Sequence, residues 1–203
     1  MKIAVVVFVK TPGLSPLKTR LAKSIGQEKA EAFFKDSVKQ TEKTLQDFQA
    51  TGDVNCFWSV AEEKGLEDPM WQNFPRFQQV SGGLGDRMHG AYEHLRAEHD
   101  FVILLGADCP HMPLDYLLTA KKALLGGEYD NVIGPTEDGG FYLFGSKTEF
   151  SLKQWNQTEY SLESTRFDFE KHMGLTPDNT WQLPELFDVD EIDEFNRLQD
   201  LKR

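Results

Sequence analysis

The chain has 203 residues, 39% of them hydrophobic, with 15 Phe and 4 Trp to fill a core, which suits one ordinary α/β domain spanning 1–203 without covalent staples. Its 22 basic and 33 acidic residues leave a net charge of −11, which repels polyanions and sets aside nucleic acid and anionic membranes as partners. Two cysteines, Cys56 and Cys109, make neither a disulfide framework nor a zinc pattern and read as reduced thiols of a cytoplasmic protein, a monomer or a homodimer.

Residues 3–9 are a continuous apolar, β-branched run, the pattern of a strand covered on both faces and too short for a membrane span. A loop with Pro12, Gly13 and Pro16 follows, then a long amphipathic helix over 27–49 with apolar positions at Ala30, Phe33, Phe34, Val38, Leu45 and Phe48. The pattern next predicts a strand at 54–60, a turn-rich stretch with Gly65, Pro69 and Pro75, a short strand at 77–80, and a helix through His94 entered by Ser81-Gly82-Gly83-Leu84-Gly85. A buried strand at 101–105 ends at Gly106-Ala107-Asp108, and Pro113 starts a helix to Leu125. Strands at 131–133 and 141–144, a helix near 163–173, a strand near 181–187 and a helix near 191–201 complete the chain. Strands alternating with helices imply a mostly parallel central sheet with helices on both faces. The tight Asp138-Gly139-Gly140 step leaves no room for a crossover helix, so one strand pair there is expected to be antiparallel or offset.

Five motifs lie at strand ends, where ligands bind in open α/β sheets. Lys10-Thr11-Pro12-Gly13-Leu14-Ser15-Pro16-Leu17-Lys18-Thr19-Arg20 places three cations beyond the first strand of an acidic protein, as an anion cradle would; it lacks the spacing of a Walker A loop. Gly82-Gly83-Leu84-Gly85-Asp86-Arg87-Met88 opens a helix with small residues, as a phosphate-binding turn or simply as a helix cap. Asp108 follows a fully apolar strand and is placed to hold a hard cation through oxygen, its plainer alternative being a turn cap. Cys109 beside it has no His and base partner that would make it a nucleophile. In Gly134-Pro135-Thr136-Glu137-Asp138-Gly139-Gly140-Phe141, Asp138 is a candidate to hold an acceptor or act as its base, and Gly139 and Gly140 would let that acceptor lie against the backbone. In Phe187-Asp188-Val189-Asp190, alternation puts both acids on one side; Asp188 is the candidate second metal ligand, and Asp190 reads as the cap of the last helix. The five histidines show no metal spacing.

Lys-x-Pro…Lys-Thr-Arg-Leu, Gly-x-Leu-Gly-x-Arg-Met, Gly-x-Asp-x-Pro, Gly-Pro-x-x-Asp-Gly-Gly-Phe-Tyr-Leu and a late Asp-Val-Asp occur in this order over nearly the whole chain. Together they resemble the GT-A-like transferases related to phospholactate guanylyltransferase, whose members are often called glycosyltransferases or nucleotide-diphospho-sugar transferases. The resemblance implies a Rossmann-like GT-A fold. It implies a first loop, with Lys10, Pro12 and Gly13, that holds the nucleotide; the glycine-rich helix start adds Gly83, Gly85 and Arg87 as candidates to contact it. It also implies phosphate contacts from Lys18 and Arg20, and Mg²⁺ or Mn²⁺ held by Asp108 and Asp188. The sequence departs from the family pattern in the first loop, where Ser15 stands at a common glycine position.

The expected chemistry is a metal-assisted displacement. Lys18 and Arg20 would stabilise charge on the leaving group while Asp138 positions a small phosphorylated or hydroxylated acceptor. A nucleoside triphosphate donor would make it nucleotidyl transfer; a nucleotide-sugar would make it glycosyl transfer. A nucleotide-binding module without turnover is the alternative of another class, and would not need the aspartates together on a metal.

Overall fold

The structure, a computed structural model, describes residues 1–201. Its strands are β1 (Ile3–Val9), β2 (Val54–Val60), β3 (Arg76–Gln78), β4 (Phe101–Leu105), β5 (Asn131–Pro135), β6 (Phe141–Ser146) and β7 (Thr180–Gln182). Its helices are α1 (Thr19–Ile25), α2 (Gln27–Gln49), α3 (Leu84–Arg96), α4 (Leu114–Leu125), α5 (Leu152–Gln157), α6 (Thr165–Met173) and α7 (Ile192–Leu201), with two 3-10 turns at Glu63–Glu67 and Pro69–Trp71. The strands form one seven-stranded sheet in the order β3-β2-β1-β4-β6-β5-β7. β6 runs antiparallel to both its neighbours, and the other pairs are parallel. The reversal at β6 follows from the short Glu137–Gly140 turn, which can only send the chain straight back.

The apolar run of β1 sorts by its period of two. Ile3, Val5, Val7 and Val9 point to a layer with Phe34, Val38, Leu45 and Phe48 of α2 and Leu117, Ala120 and Leu124 of α4. Ala4 and Val6 point to the opposite layer, with Met88, Ala91, Tyr92 and Leu95 of α3, Trp155 of α5, and Phe169 and Met173 of α6. β4 divides the same way, and both strands are covered on two faces, as continuous apolar sequence requires. A third, smaller cluster joins Leu21 of α1, Ala30 and Phe33 of α2, Leu198 of α7, and Phe187 and Val189 of the segment before α7.

Most elements lie where the residue pattern puts them; four differences carry physical reasons. The short helices α1 and α5 escape a periodicity search because seven and six residues contain too few apolar repeats. The 181–187 strand shrinks to Thr180–Gln182, and the chain then leaves the sheet edge in irregular form. It keeps touching β5 through Leu183 N–H to Ile133 O (2.8 Å) and Leu186 N–H to Pro135 O (3.1 Å). The 77–80 strand sits one residue earlier, at Arg76–Gln78, where its parallel pairing with β2 ends with the ladder bond from Gln79 N–H to Val60 O at 2.8 Å. The last helix begins at Ile192, two residues after the predicted cap at Asp190.

Candidate active site

From β1 the chain runs to β2 and β3 on one side, then returns to place β4 on the other side of β1. The boundary between β1 and β4 is therefore the switch point of the sheet, where a crevice opens beyond the carboxyl ends. Register pairs Val7 with Leu105 and aligns those ends. The loop after β1 delivers Lys18, and the loop after β4 delivers Asp108, to the same crevice. A third strand of chain closes it: Val189 N–H donates to Asp108 O (3.0 Å), so the Asp188–Asp190 segment lies directly against the β4 loop.

Lys18 is the centre of this arrangement. Its side chain is 4% exposed, and its ammonium donates to Asp108 Oδ1 and, at 2.9 Å, to Asp190 Oδ1. Burial alone would lower its pKa, but the charges and hydrogen bonds of Asp108 and Asp190 prevail and raise it. The backbone pays for this in shape: Lys18 sits at φ 44°, ψ 44°, the left-handed region, at the N-terminal edge of α1. A non-glycine residue there costs on the order of 1–3 kcal/mol, a strain that such sites carry where a side chain must be aimed.

Two clefts meet at Phe8, Ala107 and Asp108. The first, about 340 Å³, is lined by Lys10, Pro16, Leu17, Lys18, Thr19, Arg20, Phe34 and Asp190. The second, about 280 Å³, carries Asp138, Asp188, Thr136 and Gly140 on its polar wall and Leu84, Met88, Phe141 and Leu162 on its apolar wall. Asp138 Oδ1 is fixed by the Thr136 hydroxyl (2.6 Å) and the Gly140 N–H (3.0 Å). Asp188 Oδ1 accepts from the Cys109 thiol at 2.9 Å. Burial raises the Asp188 carboxyl to about 7, and the negative charges of Asp108, Asp138 and Asp190 push the same way against the thiol hydrogen bond. The Cys109 thiol is itself raised well above its ordinary value, first by burial and then by Asp188, which leaves it in the inert thiol form.

Lys10, Lys18, Arg20 and Asp190 thus gather in one cleft, Asp138, Gly140 and Asp188 in the other, and Asp108 in both. Asp188 and Asp190 do not share a side: they straddle Asp108 and serve different clefts. Asp190 does not cap α7; that end is closed by Glu191 N–H donating to Glu194 Oε2 at 2.9 Å. The Glu three residues after position 191 was the legible sign that the cap falls there and frees Asp190. Pro12 and Gly13 line neither cleft, and Pro12 faces a separate surface groove. Gly83, Gly85 and Arg87 also line neither, whereas their neighbours Leu84 and Met88 line the second. Gly83 N–H closes onto Asp86 Oδ2 (2.8 Å), and a Cβ on Gly85 would lie 2.8 Å from Trp155 O, so this motif sets the start of α3 and its packing on α5. Gly139 stands outside both clefts behind Gly140, where its carbonyl accepts from Arg166 N–H at 2.8 Å.

A clamp behind the site escaped sequence reasoning, because its parts come from three distant stretches. Arg197 of α7 grips Glu137 with two bonds of 2.6 and 2.8 Å and lies 4.0 Å over the Phe187 ring. His111 stacks on Phe187 at 4.2 Å. The clamp ties the Asp138 turn, the Asp188–Asp190 segment and the chain after Asp108 to one another.

Fold and site together define the class: a nucleotide-diphospho-sugar transferase fold with its clefts at the switch point. A protein from Desulfovibrio desulfuricans G20, provisionally named a nucleotide-diphospho-sugar transferase, superposes with TM-score 0.86 at 25% identity, covering 100% of this chain and 89% of that one. CMP:2-keto-3-deoxy-manno-octonic acid synthetase complexed with CTP superposes with TM-score 0.61 at 12% identity, covering 100% of this chain and 98% of that one. Rv0371c from Mycobacterium tuberculosis H37Rv, solved with manganese, gives TM-score 0.55 at 11% identity over 98% of this chain and 99% of that one. At the level of sequence, the chain belongs to the DUF2064 family, described as an uncharacterized protein conserved in bacteria, whose model matches residues 44–161. No curated protein matches the chain.

Proposed function

We propose that this chain is a nucleotidyltransferase dependent on Mg²⁺ or Mn²⁺, with a nucleoside triphosphate in the first cleft and a small acceptor in the second. The observation that carries this reading is Lys18 held between Asp108 and Asp190 where the two clefts meet. Lys10, Lys18 and Arg20 face the first cleft and supply positive charge for a phosphate chain in a protein that is otherwise acidic.

The residues fit a divalent cation. The donors are carboxylates, hard oxygen ligands, and Asp108 and Asp190 already converge on one positive charge. Among the described residues no three His, Cys, Asp or Glu side chains form a cage of their own. That suits an ion which takes one or two protein carboxylates and fills its shell with water and phosphate. Asp108 and Asp190 are the pair we assign to it, and Asp188 the neighbour that would hold the β4 loop and face the acceptor. The bound ion would neutralise phosphate charge and orient the donor. Lys18, with Arg20, would stabilise the charge that accumulates on the departing pyrophosphate. Asp138, held by Thr136 and Gly140, would accept the acceptor's proton from a fixed position.

The neighbour solved with CTP and the one solved with manganese support nucleotide and divalent-ion binding in this fold. The motif resemblance to phospholactate guanylyltransferase adds GTP to the donors to try first. The Desulfovibrio protein's name supports a second reading, glycosyl transfer from a nucleotide-sugar in the same cleft. Products separate the two: pyrophosphate for the first, a nucleoside diphosphate for the second.

Titration calorimetry with CTP, GTP, UTP and ATP, with and without Mg²⁺, tests the proposal. Binding should require the ion and weaken at least tenfold in Asp108→Ala. Binding that ignores the ion and survives Asp108→Ala intact would instead mark a nucleotide-binding module without turnover.

A further inference from the structure

The loop that carries Lys10, Lys18 and Arg20 is tied down at two points. Lys18 is fixed by Asp108 and Asp190, and Thr11 is fixed near the other end. Thr11 is 1% exposed, and each of its polar atoms has a partner. Its N–H donates to Glu62 Oε2 at 2.9 Å, and its hydroxyl oxygen accepts from the Trp71 indole N–H at 3.1 Å. Its carbonyl accepts from the N–H groups of Leu14 (3.1 Å) and Ser15 (3.3 Å). Glu62 and Trp71 stand 51 and 60 residues further on, in the connection between β2 and β3, and neither lines a cleft. Trp71 is fully buried and held against Trp58, ring to ring, at 5.3 Å. Gly65 makes the room for this contact, since a Cβ there would collide with the Thr11 hydroxyl. Removing one partner of such a buried bond leaves the other unsatisfied, which keeps the latch closed.

We propose that Thr11 is a positioning residue for nucleotide binding: latched to Trp71 and Glu62, it holds the Lys10–Arg20 loop in its binding shape before the phosphate chain arrives. The inference rests on the reading of the first cleft as the nucleotide site. It goes beyond that reading because Thr11 lines neither cleft and acts only through the loop. Lys10 directly precedes the latch. The turn closed by Leu14 and Ser15 leads on to Pro16, Leu17 and Lys18, and all four of these flanking residues line the first cleft. Between them lie Gly13, at φ +81° with open space where a Cβ would stand, and Leu14, 46% exposed. Neither supplies packing that would fix the loop, so its shape depends on its two anchored points. A loop ordered in advance binds more tightly than one the ligand must order, because its conformational entropy has already been lost in folding.

The test compares the full-length parent with Thr11→Val, which removes the hydroxyl and keeps the branched shape, and with Thr11→Ser, which restores the hydroxyl. Calorimetry with CTP, GTP, UTP and ATP in the presence of Mg²⁺ reads affinity, and backbone ¹⁵N relaxation without nucleotide reads the loop. In Thr11→Val, affinity for the triphosphates that the parent binds should fall at least tenfold. The order parameters of Gly13, Leu14 and Ser15 should drop from about 0.85 to below about 0.6, while those of β1 and α2 stay as in the parent. Thr11→Ser should bring the affinity back to within about threefold and the loop back to its parent order. Either quantity unchanged in Thr11→Val, or no recovery in Thr11→Ser, overturns the inference. Should Thr11→Val fail to fold, Glu62→Ala, at a half-buried position, removes the other bond and is held to the same two readouts. A parent that binds none of the four triphosphates removes the donor reading and this inference with it. A parent that binds while Thr11→Val binds equally well removes this inference alone.

Discussion

Lys18 shows how much one side chain carries. A buried ammonium between two half-exposed carboxylates is stable because each partner offsets its desolvation, and the strained backbone beneath it is tolerated for that reason. Replacing it with Met keeps the length and removes the charge. Transfer activity of Lys18→Met should fall by about 10²–10³-fold, the scale of deleting one preorganised electrostatic contact, roughly 2.7–4 kcal/mol. The water-accessible Asp108 and Asp190 would then repel each other only weakly, so folding should survive. A rate within threefold of the parent, measured by pyrophosphate release, would remove Lys18 from the chemistry. Its role was partly legible: three cations after a buried strand in an acidic chain are a local signal. The partnership with Asp190 was not legible, since it spans 172 residues and depends on where α7 begins.

At the scale of elements, the β5–β6 turn decides the shape of the second cleft. Gly139 adopts φ +86°, and a Cβ there would stand 1.9 Å from the Glu163 carbonyl oxygen, just before α6. Gly139→Ala therefore meets both an unfavourable backbone region and fixed main chain. It should destabilise by about 2–4 kcal/mol, read from urea unfolding. A loss under about 0.5 kcal/mol would show that α6 is not seated on this turn. The sequence suggested that Gly139 lets an acceptor approach the backbone; the structure assigns its lack of a side chain to the approach of α6. Helix α3 teaches a similar lesson. Its Gly83 and Gly85 looked like a phosphate turn; Gly83 N–H instead bonds Asp86 at the helix start, and Gly85 lets α5 come close. Glycine pairs before a helix do not say which neighbour comes close, because that neighbour, here α5, lies seventy residues on.

For the molecule as a whole, the layers on both faces of one sheet, and the cluster joining α1, α2 and α7, make a single cooperative unfolding transition the expected behaviour of the described residues. Its pH dependence can be traced partly to His111. Burial, then the Arg197 charge, lower the pKa of this imidazole against the opposing pull of Glu137, and neither ring nitrogen has a hydrogen-bond partner among the described residues. A histidine whose folded pKa is depressed binds protons more readily when unfolded. Its contribution is present above its ordinary value of about 6.5 and is lost as the pH falls below it. His111→Leu should flatten the fall in thermal midpoint between pH 7 and pH 5; an unchanged slope would assign that fall to other groups. What the sequence determined by itself was the alternation of strand and helix, the buried strands and a turn at Asp138 too short for a parallel crossover, because local periodicity and turn length are properties of neighbouring residues. It also placed Lys18, Asp108 and Asp138 at strand ends. Only the tertiary structure decided that Asp190 joins Lys18, that Asp188 turns to the other cleft, and that one cleft is cationic and the other acidic. Those outcomes depend on which distant segments cross at the β1–β4 switch point, and no pattern within a single segment encodes the crossing.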